Sequence, residues 1–339
     1  MPFVNRILQF NSLSIAGLAK NTGKTVCLNY VLDRLAQEGK VPAVTSIGID
    51  GEGVDQVTAT PKPDIRLTPG VYFTTAAHFY RQKRFLAEVC AVSERETVLG
   101  PWVTARALEA GKVVLGGPSD MGALQQWIRQ TPKQFPVDLC VVDGALSRMS
   151  LASPAVTEAM ILATGAAYSA NKAQLVRRTR FVYDTLSLPQ VDAALGARLG
   201  SLQQGIWGVS ADGREVVDTH VASALHSQQL AQAIQVGGRR LFVAGAVGGM
   251  VLKALSQQAH PEDTELIIRD FSRLFVEPHD FYAFLKKGGR ITQVLRTCLI
   301  AVCINPWSPE GYLMDAQTLE KEMQEALPVP VYNIKHLAQ

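Results

Sequence analysis

Apolar residues in this chain gather in short continuous runs rather than alternating with polar ones. Leu13 to Gly17 is the first and Val41 to Gly48 the second. Lys112 to Leu115, Asp138 to Asp143, Met160 to Ala163, Leu241 to Ala244, Glu265 to Ile268 and Leu299 to Ile304 repeat the pattern. A run this short and apolar at nearly every position predicts a strand covered on both faces. Strands covered in that way belong to parallel sheets with helices on each side. Between the first two runs, Gly23 to about Gln37 carries apolar residues at helical spacing and closes on Gly39, which predicts a helix. The expected fold is α/β, a doubly wound and mostly parallel sheet.

From about Leu175 to Gln235 the pattern changes to Leu, Ala and Gln at helical spacing, broken near Pro189 and from Gly205 to Gly213. This segment reads as a helical or mixed insertion. The expected organisation is an α/β half over 1–174, the insertion over 175–236, and a second α/β half over 237–339 that completes or adjoins the sheet, with Gly237 and Gly238 as the joint. At roughly 150 residues per domain, a chain of 339 residues has room for these parts.

Composition narrows the class. Apolar residues make up 47% and charged residues 19%, which excludes a disordered or fibrous chain. The 33 basic residues against 30 acidic ones leave +3, too little to imply a nucleic-acid partner. No run approaches the roughly 18 apolar residues of a membrane span, and the N-terminus has no leader pattern. Cys27, Cys90, Cys140, Cys298 and Cys303 form no C-x-x-C pair. The expectation is a reduced, cytoplasmic protein away from membranes.

Chemistry enters at Gly17-Leu-Ala-Lys-Asn-Thr-Gly23-Lys24-Thr25, between the first strand and the first helix. A loop there curls backbone N–H groups around an anion that rests on the positive helix N-terminus. Gly17, Asn21, Thr22 and Gly23 shape the loop. Lys24 reaches the β- and γ-phosphates, and the Thr25 hydroxyl ligates Mg²⁺. A second acidic group is needed near the metal. Asp143, ending the Asp138 to Asp143 run, is the candidate; the alternative is a strand-end turn residue. Asp50 ends the second strand on the side where open α/β sheets bind ligands. It is read either as a metal ligand or a carboxylate that orients the attacking water, or as a solvated loop carboxylate; Glu52 and Asp55 fall on the same γ-phosphate side and read as solvated loop carboxylates. Asn305, after the last long run, is read either as an amide that recognises the nucleotide base, with Trp307 over its face, or as an Asx turn in a proline-stiffened loop. The cofactors expected are ATP and Mg²⁺, and the activity expected is ATP hydrolysis.

The five residues between the loop glycines resemble the loop of the dethiobiotin synthetase and cobyrinic acid synthase group of P-loop NTPases. Two departures limit what carries over. The lysine that dethiobiotin synthetases carry after the second strand is replaced by Gly48-Ile-Asp50-Gly51-Glu52, and no cysteine sits on a glutaminase elbow. An ATP-dependent ligase or carboxylase acting on a small acid or amine is therefore the alternative function, and a non-hydrolysing nucleotide-regulated module is a third. A wider set of phrases resembles the reactivase subunits found beside lysine 5,6-aminomutase and related adenosylcobalamin-dependent aminomutases. They are Ala16 to Thr25, Thr45 to Glu52, Val142 to Arg148, Ala163 to Ala166 and Ile304 to Pro309. That resemblance implies an ATP-driven, chaperone-like factor that helps expel damaged cobalamin, with the aminomutase and a second ATPase subunit as partners.

Overall fold

The structure, a computed structural model, describes residues 3–47, 65–94, 97, 99–118, 120–145, 157–224 and 227–334. The first nine strands are β1 (Ser12–Gly17), β2 (Pro42–Ser46), β3 (Ile65–Leu67), β4 (Tyr72–Ala76), β5 (Ala87–Val92), β6 (Trp102–Ala107), β7 (Gly111–Val113), β8 (Leu139–Ala145) and β9 (Ala159–Gly165). The rest are β10 (Ile206–Val209), β11 (Val216–Val221), β12 (Arg240–Val243), β13 (Val247–Gly248), β14 (Glu265–Ile268), β15 (Leu274–Phe275), β16 (Arg290–Gln293), β17 (Cys298–Asn305) and β18 (Val331–Asn333). They divide between two compact units, Met1–Arg180 with Thr297–Gln339, and Phe181–Arg296.

In the first unit one sheet runs in the order β18-β17-β9-β1-β8-β2-β4-β6-β5. Six of its pairings are parallel. Only the two at the β5 end are antiparallel. The chain leaves β1 through helix Lys24–Gln37 to reach β2 beyond β8, whereas β8 is followed by β9 on the other side of β1. A reversal of winding of this kind opens a crevice at the carboxyl ends of the strands. Cys27, Leu28, Val31, Leu32 and Leu35 form the buried stripe of helix Lys24–Gln37. They share one apolar core with Leu13 and Ile15 of β1, Val44 of β2 and Val141 of β8. Each fully buried leucine of that stripe contributes about 1.5–3 kcal/mol, and together they anchor the loop that precedes the helix.

The second unit has its own sheet, β11-β10-β12-β14-β16, parallel through β12, β14 and β16. Leu241 and Val243 enter one apolar core with Leu266 and Ile268, while Phe242 and Ala244 enter another with Ile267. Burial of both faces is the physical reason that these runs are apolar at every position.

The observed division differs from the expected one at 174 and 236. β12 hydrogen-bonds to β10, a strand from the segment read as an insertion, so 206–293 build one sheet. β17 instead pairs with β9 and completes the first unit. Gly237 and Gly238 lie inside the second unit, at the end of helix Ser227–Gly237. The run Lys112 to Leu115 yields β7, which pairs antiparallel with β3 outside the large sheet. Among the described residues no helix is long and apolar enough to cross a membrane.

All five cysteines are free, and Cys27, Cys140 and Cys303 are buried. A hydrogen bond to Cys303, reinforced by burial, holds the Cys27 thiol well above its usual range. Burial alone pushes Cys140 up to about 12. The thiolate is the reactive form, so at pH 8 both remain protonated and inert. Iodoacetamide mapping by mass spectrometry is expected to modify Cys27 and Cys140 only after unfolding in urea. Rapid labelling of Cys140 in the native protein would contradict the packing described.

Candidate functional site

β1 ends at Gly17 and the helix begins at Lys24, so residues 18–23 make the turn between them. Leu18 N–H still donates to the Ala163 carbonyl of β9 at 3.0 Å, which ties the start of the turn to the sheet. Thr22 Oγ1 donates back to the Ala19 carbonyl at 2.9 Å and braces the crest. An ideal Cβ at Gly17 would lie 2.8 Å from that hydroxyl oxygen, so the turn closes this tightly only over a glycine. Asn21 and Gly23 have φ of 61° and 91°, in the region that asparagine tolerates and glycine adopts freely. Gly23 is the helix N-cap, and its carbonyl accepts from Cys27 N–H at 3.0 Å. Lys24 and Thr25 therefore occupy the first helical turn, at the end where the peptide dipoles sum to positive charge.

Asp143 lies opposite Ile15 of β1 and Ser46 of β2, enclosed by a strand on each side. It is 4% exposed. A carboxylate in such a place is costly unless paired, and Lys24 Nζ stands 3.1 Å from its Oδ1. The two side chains are 16% and 5% exposed, so their attraction is far less diluted by water than that of a surface pair. The sequence marks Lys24 and Asp143 separately; the fold brings them together by making β8 the direct neighbour of β1.

Asn305 ends β17 and reaches the same turn from the other side. Its Nδ2 donates to the Asn21 carbonyl at 3.0 Å, and its Oδ1 accepts from Trp307 N–H at 3.2 Å. The second contact is an Asx turn. Trp307 is 47% exposed and bridges to Leu313 in a short antiparallel pairing. The strand end is seated by Gly165 of β9. An ideal Cβ there would overlap the Asn305 carbonyl oxygen, which accepts instead from Ala166 N–H at 2.9 Å. Ile334 packs beside Gly23. Gly165 and Ile334 have no legible signal in the sequence, because their roles depend on which strands are neighbours.

Within the loop, Lys20 is exposed on the crest. Asp50, Glu52 and Asp55, the other acidic candidates, lie outside the described residues. Among the described residues no three His, Cys, Asp or Glu side chains converge as a metal site. Compared with protein-family models, curated proteins and solved structures, the chain matches none.

Proposed function

We propose that this chain is a P-loop NTPase that binds Mg-ATP over the 17–25 loop, hydrolyses it, and acts as a reactivase for an adenosylcobalamin-dependent aminomutase together with a second ATPase subunit. The observation that carries the nucleotide reading is the Lys24–Asp143 pair, 3.1 Å apart, beside a glycine-formed turn that leads into a helix N-terminus. The residues suit the ligand. Gly17 leaves the turn no side chain of its own, and Lys24 brings a cation to the helix end that attracts anions. Thr25 and Asp143 offer oxygen donors, the kind Mg²⁺ takes alongside phosphate oxygens and water. Lys24 and the loop amides would hold the phosphates, and Thr25 and Asp143 the metal and its waters. Magnesium, if held there, would supply positive charge that offsets the negative charge developing on the phosphate oxygens. Lys24 then turns its charge from the Asp143 carboxylate to phosphate. Asp50 is the carboxylate that would orient the attacking water.

The reactivase part is supported by the order and content of the phrases from Ala16 to Pro309. Its test is recovery of an inactivated cobalamin-dependent aminomutase by this protein with its second subunit, ATP, Mg²⁺ and fresh adenosylcobalamin. Recovery is expected with the wild-type chain and not with Lys24→Ala. Equal recovery without ATP, or ligation of a small acid by the chain alone, would refute this role and leave only a nucleotide site.

A further inference from the structure

We infer that Asn305 is a positioning residue for the phosphate loop, and that it acts on every phosphate ligand through Asn21 rather than by reading the base. The inference rests on the phosphate-binding reading of the 17–25 loop. Its starting point is the backbone of Asn21, whose φ of 61° lies in the left-handed region. A residue with a side chain incurs a cost there, smaller for asparagine than for most types, and a hydrogen bond to its carbonyl helps to hold it. Asn305 supplies that hold: its Nδ2 donates to the Asn21 carbonyl at 3.0 Å.

Fixing that carbonyl also fixes the next amide. In a trans peptide the C=O and the following N–H point in opposite directions. With the Asn21 carbonyl drawn to Asn305, the Thr22 N–H is aimed away from Asn305, and on the phosphate-binding reading it becomes a donor to the bound anion. Thr22 Oγ1 braces the same crest through the Ala19 carbonyl, so the turn is secured on both flanks of Asn21.

The amide of Asn305 is already engaged at both its nitrogen and its oxygen. Its nitrogen serves Asn21 and its oxygen serves Trp307 N–H, and the residue is 7% exposed. It is also rigidly placed. Asn305 sits opposite Gly165 in the β9–β17 register, and its own carbonyl is held by Ala166 N–H. An ideal Cβ at Gly23 would lie 3.6 Å from the Asn305 Cβ, so the side chain stands directly against the turn it secures.

The test compares a ligand that has a base with one that has none. Calorimetric affinities for ATP and for inorganic tripolyphosphate, both with Mg²⁺, are measured on the wild type, Asn305→Ala, and Asn305→Ala combined with Asn21→Gly. Loss of one hydrogen bond of this kind is expected to weaken both ligands equally, by about tenfold. Glycine adopts positive φ without the hold, so Asn21→Gly is expected to restore much of the loss. If Asn305→Ala does not fold, Asn305→Leu keeps the volume and removes the donor, with the same expectation. Weakened ATP binding with unchanged tripolyphosphate binding would make Asn305 a base reader and overturn the inference. Equal loss without rescue by Asn21→Gly would overturn the route through Asn21. A wild type that binds neither ligand would overturn the phosphate-site reading, and this inference with it.

Discussion

Lys24→Ala is expected to lower ATP turnover by about 100- to 1000-fold, the usual loss when one preorganised electrostatic contact to the transition state is removed. The same substitution takes away the ammonium 3.1 Å from the nearly buried Asp143 carboxylate. Breaking one side of a shielded ion pair costs about 3 kcal/mol or more, so the variant should also melt earlier. The two losses separate in a double variant. Lys24→Ala with Asp143→Asn puts a neutral amide of the same shape where the carboxylate was, and stability is expected to return while turnover stays lost. Chemical denaturation of the four proteins in this cycle gives the coupling directly. A folded Lys24→Ala protein with wild-type turnover would remove the loop from the chemistry. Additive denaturation effects would show that the pair contributes nothing to stability.

Gly165→Ala is expected to be the most damaging of the small substitutions at the site. The atom in the way of a new Cβ is the main-chain carbonyl oxygen of Asn305, which cannot rotate aside as a side chain does. To accept the methyl group, β17 must move off β9 at its carboxyl end and lose the bond from Ala166 N–H. Overpacking of this kind costs about 1–3 kcal/mol. The lost hydrogen bond adds about 1 kcal/mol. In a unit of this size each kcal/mol is worth about 2–4 °C in melting temperature, so a fall of roughly 4–16 °C is expected by calorimetry. An unchanged melting temperature would show that the strand end yields without cost.

The parts of this structure that are legible in the sequence are those that depend on one segment at a time. The run Leu13 to Gly17 and the helical spacing after Gly23 record burial of a strand on two faces and of a helix on one stripe. Asp143 stands out because a carboxylate closes an otherwise aliphatic run. Neighbour relations leave no such trace. Nothing in the residues of β8 says that it lies beside β1, yet that adjacency creates the Lys24–Asp143 pair. Likewise β12 and β17 have the same apolar character, and only their hydrogen-bonding partners assign them to different sheets. The antiparallel edge is hard to read for another reason. β5 and β6 are half-exposed and rich in alanine, so they lack the continuous apolar character of the central strands.

The first unit is discontinuous in the chain: β9 and β17, neighbours in the sheet, are separated by all of Phe181–Arg296. During synthesis, at about 5–20 residues per second, the turn at 17–25 and its Asp143 partner leave the ribosome well before Asn305. Through that interval β9 has an open edge where β17 will later dock, and Asn21 has no partner for its carbonyl. Closing so long an intervening segment also slows folding relative to local contacts. A nascent or prematurely ended chain therefore carries the whole G-x5-G-K-T segment without the strand that shapes it. On the proposed reading of that loop, competence to grip a phosphate ligand would arise only after β17 has been made and docked.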